Sequence, residues 1–188
     1  MNKQGTVYFF TGLSGAGKST IGGLFYHSLL QKSPNAILLD GDVIRRMQNE
    51  EIPMPFSDGW NLALQGAVLQ PFDYTREGRL KGAWVLFRLC KYLADQGQDV
   101  VCCSISMYRE IRRWNRENIP NYREIYVKAS METLYRRDQK GLYSSHTKNV
   151  VGVDIPAEEP ENPDIVIQND GETTPEEIVK RLERQFDL

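Results

Sequence analysis

The chain is poor in several things, and each scarcity narrows what it can be. Cysteine is scarce: Cys90, Cys102 and Cys103 are the three in 188 residues, and all lie inside apolar stretches. Their spacing matches no metal-binding pattern, and the adjacent pair Cys102 and Cys103 would face opposite sides of a strand. They read as reduced core thiols, which fits a cytoplasmic protein. Charge of one sign is not in excess: 23 Lys and Arg against 25 Asp and Glu leave a net −2. That gives no electrostatic footprint for nucleic acid or for an anionic membrane. No apolar run approaches the ~20 residues of a membrane span, and no signal-peptide pattern opens the chain. Internal repeats and low-complexity tracts are absent. What remains is a chain of ordinary globular composition, long enough for one domain over residues 1–188 with a sizeable core.

What is present begins at Gly12-Leu13-Ser14-Gly15-Ala16-Gly17-Lys18-Ser19, running on into Thr20. This is G-x-x-x-x-G-K-S, the phosphate-binding loop. The apolar run Val7-Tyr8-Phe9-Phe10 before it is strand-like, and Ile21, Leu24, Phe25 and Leu29 after it have helical spacing. The motif therefore has the strand–loop–helix context it needs. In that geometry backbone N–H groups ring a phosphate chain at the positive end of a helix. Lys18 would reach the β- and γ-phosphates of ATP, and Ser19 would hold Mg²⁺.

The rest alternates. Residues 36–39 read as a strand ending in Asp40-Gly41-Asp42, followed by a short helix over 43–51. Residues 52–70 carry two prolines and no clear period, and read as an irregular insertion. A long helix is expected over 79–93, a fully apolar strand over 100–105 and a charged helix over 109–117. A strand over 124–127, a helix over 131–137, a loop-rich stretch over 140–161 and a strand over 164–167 follow. Thr174-Pro175-Glu176-Glu177 then starts the last helix with an N-cap, a proline at the first helical position and an acid at the third. Strands alternating with helices predict an α/β fold: an open, mainly parallel sheet covered on both faces.

A phosphate-binding loop alone does not separate a kinase from a GTPase. No Asn-Lys-x-Asp follows an apolar strand, so GTP specificity has no support. The 100–105 strand ends without an acid, so the usual second metal-binding aspartate is missing there. Asp40 and Asp42, at the carboxyl end of a strand where ligands of such sheets bind, are the substitutes. One carboxylate can accept a hydroxyl proton, and the other can hold a metal through water. A plain Asp-Gly turn would read the same way.

Beyond the loop, GLSGAGKST, LDGD followed by Arg45, LADQG at 93–97, SISMYR at 104–109, RDQKGLY at 137–143, and GVD with a later PENPD run through the chain in one order. In this the chain resembles the adenylyl-sulfate kinase family, P-loop enzymes that pass the γ-phosphate of MgATP to the 3′-hydroxyl of adenylyl sulfate. The resemblance implies a P-loop fold with a mobile lid over about 137–150 and a role in sulfate assimilation. It makes Asp42 the base for the acceptor hydroxyl, and Arg45 and Arg79 acceptor anchors. Ser106 matches a serine that some members are described as phosphorylating. On the lid, Arg137 and Lys140 would neutralise phosphate charge on closure. Homodimer formation is a further expectation of the resemblance.

The departures from the family fall on the acceptor side. Two polar residues of the family are replaced by Gly78 and Gly82 around Arg79. Of two phenylalanines that stack the acceptor adenine, the first position is Tyr74 and the second Val150. Three readings follow: a kinase of adenylyl sulfate, a kinase of another nucleotide such as the cytidine diphosphoramidate of surface-polysaccharide pathways, or a nucleotide-binding module without catalysis. Retention of Lys18, Ser19, Asp42 and Lys140 argues against the last, because a pure binder needs no base.

Overall fold

Val7–Thr11 is buried at every position, as a strand covered on both faces must be. This strand, β1, is the centre of a five-stranded parallel sheet in the order β2-β3-β1-β4-β5. The others are β2 (Ile37–Asp40), β3 (Val100–Cys103), β4 (Tyr122–Lys128) and β5 (Ile165–Gln168). The helices are α1 (Lys18–Leu29), α2 (Gly41–Asn49), α3 (Arg76–Asp95), α4 (Arg109–Asn118), α5 (Met131–Arg137) and α6 (Pro175–Gln185). The structure is a computed structural model that describes residues 4–49, 73–138, 141–145 and 148–188. The expected insertion at 52–70 lies outside the described residues.

Alternation along the strands splits the core into two layers. Tyr8, Phe10 and Cys103 pack with Phe25 of α1 and Leu182 of α6. Val7, Phe9 and Cys102 pack with Phe87 of α3 and Ile111 of α4. Cys102 and Cys103 thus face opposite layers, and all three thiols are buried and unbridged. The chain crosses from β1 outward to β2, returns to β3, and then passes over β1 to β4. The loops after β1 and β3 therefore part company and leave a crevice at the carboxyl edge of the sheet.

Several boundaries differ from the spacing-based expectation, for local reasons. Helix α3 starts at Arg76 because the Thr75 hydroxyl accepts the Gly78 N–H at 3.1 Å. Strand β3 stops at Cys103, ahead of the left-handed turn at Ser106 (φ 29°). Helix α2 starts at Gly41, so Asp42 sits in its first turn. The capping box at Thr174 forms as its sequence predicts.

Candidate active site

The phosphate-binding loop is built by glycines where side chains do not fit. Gly12 has φ 148°, and a Cβ there would lie 2.1 Å from the carbonyl oxygen of Val127. Gly17 has φ 103°, and its Cβ would meet Asn169 Nδ2 at 2.4 Å. The carbonyls of four successive loop residues are each taken by a protein donor. Lys18 Nζ donates to Leu13 O at 2.8 Å, Tyr143 Oη to Ser14 O at 3.0 Å, Arg137 Nη1 to Gly15 O at 3.2 Å and Asn169 Nδ2 to Ala16 O at 2.7 Å. A loop whose carbonyls are turned onto protein donors offers its amides to an anion. Ser14, Gly15, Gly17, Lys18, Ser19 and Thr20 all line the adjoining cleft, whose volume is about 110 Å³. Ala16 is buried beneath it, and the Leu13 side chain packs toward Gly152.

Asp40 ties the loop to α2. Its Oδ2 accepts the Ser19 hydroxyl at 2.6 Å, while Oδ1 accepts the N–H groups of Asp42 and Val43 at 2.9 and 3.2 Å. One carboxylate thus caps a helix and fixes the hydroxyl that begins the other. A hydroxyl and a carboxylate at this distance are hard oxygen donors suited to Mg²⁺. No group of three or more His, Cys, Asp or Glu side chains converges among the described residues.

Asp42, Arg45, Arg79, Ser106 and Tyr108 line the same cleft. The Tyr74 ring carries both guanidinium groups, each 5.0 Å from its centroid. Arg79 also donates to the carbonyls of Tyr74 and Asn149, both at 3.0 Å. Burial and the neighbouring Arg45 charge pull the Arg79 pKa down; its intrinsic basicity keeps it a cation. Ser106 is buried, with its Oγ 2.7 Å from that of Ser104.

One sequence reading changes here, and two gain detail. Val150, placed against the acceptor by the family frame, is 5 % exposed and packs in the α1 layer of the core. Its neighbour Val151 is the residue lining the cleft. Gly78 is more than a missing polar side chain, because a Cβ there would lie 2.1 Å from Asp73 Oδ1. The glycine lets the turn that carries Tyr74 settle onto α3. On the lid segment, Arg137 already reaches the loop, and Asp138 accepts the N–H groups of Tyr143 and Ser144 at 3.0 and 3.2 Å. The Ser144 hydroxyl first, and then these backbone bonds, hold the Asp138 carboxyl below the usual range. Lys140 lies outside the described residues. Asn169 was not foreseen: it stands 153 positions from its partner Ala16, and in sequence it is one polar residue of a turn.

The comparisons with known proteins agree on one family. The family model for adenylylsulphate kinase matches residues 4–61 and 58–168. Over their full lengths, the chain is 36 % identical to the cytidine diphosphoramidate kinase of Campylobacter jejuni. It is 31 % identical to the adenylyl-sulfate kinase of Halothermothrix orenii, over 97 % of this chain and 90 % of that protein. Among solved structures, the Mycobacterium tuberculosis APS kinase in complex with AMPPNP and APS superposes with a TM-score of 0.77 at 26 % identity, covering 98 % of this chain and 99 % of that one.

Proposed function

This chain belongs to the adenylyl-sulfate kinase family, and from that premise we propose that it passes the γ-phosphoryl group of MgATP to the 3′-hydroxyl of cytidine diphosphoramidate in preference to adenylyl sulfate. Membership makes it an ATP-using phosphotransferase with an alcohol acceptor; the choice of acceptor is read from the cleft. The observation that carries it is the missing ring. The Tyr74 ring is already covered by Arg45 and Arg79 and the cleft-lining Tyr108 ring by Arg76, and where the family frame sets a second stacking ring the chain has the buried Val150 followed by the cleft-lining Val151, both aliphatic. Stacking contributes about 1–3 kcal/mol per base, so one ring is worth roughly 5- to 150-fold in affinity. The full-length similarity to a cytidine diphosphoramidate kinase supports the same choice.

In this reading the donor phosphates lie along the loop amides and Lys18. Ser19 and Asp40 would hold Mg²⁺, which would supply neutralisation of charge on the transferring group. Asp42 takes the proton from the acceptor hydroxyl, while Arg45 and Arg79 hold the acceptor's anionic end. Arg137, and Lys140 with it, screens the phosphates from the lid side. Ser106 lines the acceptor side and carries no phosphoryl group, because transfer is direct. Among the described residues no helix is long and apolar enough to cross a membrane, and the proposal sets the reaction in the cytoplasm, with its ATP. The competing reading, adenylyl sulfate in sulfate assimilation, is favoured by the retained Arg45 and Arg79 pair.

Steady-state kinetics with the two acceptors separates them. The expected result is a kcat/KM for cytidine diphosphoramidate at least tenfold above that for adenylyl sulfate, with Val151→Phe narrowing the gap. A low-micromolar KM for adenylyl sulfate with full turnover would reverse the assignment.

A further inference from the structure

Among the described residues, four buried side-chain polar atoms lack a hydrogen-bond partner: Gln98 Oε1, Asn115 Oδ1, Glu124 Oε1 and Tyr108 Oη. The first three are acceptor oxygens. Tyr108 Oη carries the one O–H among them, and leaving such a donor buried without an acceptor costs about 1–3 kcal/mol. Tyr108 is 5 % exposed and yet lines the active-site cleft beside Asp42, Arg45, Arg79 and Ser106.

Its surroundings are positive. The charged groups acting on the phenol are Arg79, Arg76 and Arg45, against Glu158 alone on the acidic side. The Arg76 guanidinium lies over the ring, 5.7 Å from its centroid, and is held there by Glu158 Oε1 at 3.1 Å. Glu158 Oε2 also accepts the N–H of Arg109 at 2.6 Å, at the start of α4. The ring is thereby held beneath the Arg76 guanidinium. Burial raises the phenol pKa above its usual value, so Oη keeps its proton. A fixed O–H donor without a protein acceptor, ringed by guanidinium groups, is one half of an anion-binding contact.

We propose that Tyr108 is an acceptor-binding residue whose Oη donates a hydrogen bond to the anionic 5′ group of the acceptor nucleotide, alongside Arg45 and Arg79. The inference rests on the reading of this wall as the acceptor side, and it holds for either acceptor, since both carry a charged group there. It also accounts for the cost of the unpartnered hydroxyl: the partner comes with the substrate.

The test is Tyr108→Phe, which removes one oxygen and keeps the ring. Affinity for cytidine 5′-diphosphate and for adenylyl sulfate is measured by calorimetry with the non-hydrolysable ATP analogue bound, alongside thermal stability and affinity for the ATP analogue alone. The expected signature is a loss of tenfold or more for whichever acceptor probe the wild type binds. Binding of the ATP analogue stays unchanged, and the melting temperature is equal or higher. A lowered melting temperature would mark the hydroxyl as structural. Acceptor affinity within twofold of wild type, or a wild type that binds neither probe, overturns the inference. A loss seen on adenylyl sulfate alone would uphold Tyr108 while overturning the cytidine assignment.

Discussion

At the residue scale, the proposal gives different parts to the two aspartates at the end of β2 and the start of α2. Asp40 has both oxygens engaged, one with the Ser19 hydroxyl and one with helix amides. Asp42, two residues on, is exposed and lines the cleft. A carboxylate that holds the Ser19 hydroxyl suits positioning, and under the proposal the one lining the cleft takes the proton. Asp42→Asn keeps the shape and removes the base. It is expected to lower kcat by two orders of magnitude or more while leaving ATP affinity within a few-fold. A collapse of ATP affinity with kcat intact, by steady-state kinetics and direct binding, would pass the base role to Asp40. Both residues were legible in the sequence because they sit at a strand end beside an unmistakable loop. Tyr108 was not, since nothing in Ser-Met-Tyr-Arg says that Met107 is buried at 2 % exposure while the next ring turns to the cleft. That depends on the left-handed Ser106, a conformation only the fold reveals.

At the scale of elements, period and caps foretold the helices and strands to within a few residues, because the buried faces repeat at the spacing of each element. Contacts between elements were another matter. The loop after β5 places Asn169 under the phosphate loop, where its amide is 2.7 Å from Ala16 O and against the Cα of Gly17. Hydrophobic spacing carries no information about such a polar tie. Asn169→Ala leaves the Ala16 carbonyl buried without this donor, a loss of about 1–3 kcal/mol. The expected outcome is a KM for ATP raised about tenfold with the acceptor KM little changed. Equal effects on both substrates would mean that the loop after β5 supports the fold at large and not the phosphate loop in particular.

For the whole molecule, several surface carboxylates are held below their ordinary pKa by backbone N–H groups and hydroxyls. Asp170 is the strongest case: the Ser130 backbone N–H and hydroxyl bring it down to about 2. Asp138, Glu158 and Glu177 shift the same way. A carboxylate depressed on folding stabilises the native state above its unfolded pKa, and the contribution fades as pH falls toward the folded value. Stability is therefore expected to be flat above pH 5 and to drop between about pH 4 and 2. Urea midpoints measured across that range should fall less steeply for Asp170→Asn than for the parent chain, and identical slopes would show that Asp170 contributes nothing.

The four donors that grip the phosphate loop also impose an order in time. The loop is complete once the first 20 residues have been made, but Arg137, Tyr143 and Asn169 are synthesised far later. A nascent chain stalled before Arg137 has the recognisable motif and lacks three of the four ties that hold its carbonyls, and one stalled before its last strand still lacks the Asn169 tie. Nucleotide can thus report on completion: a growing chain gains its full grip on ATP only after β5 and the turn beyond it have emerged, so ligand binding favours finished molecules over fragments.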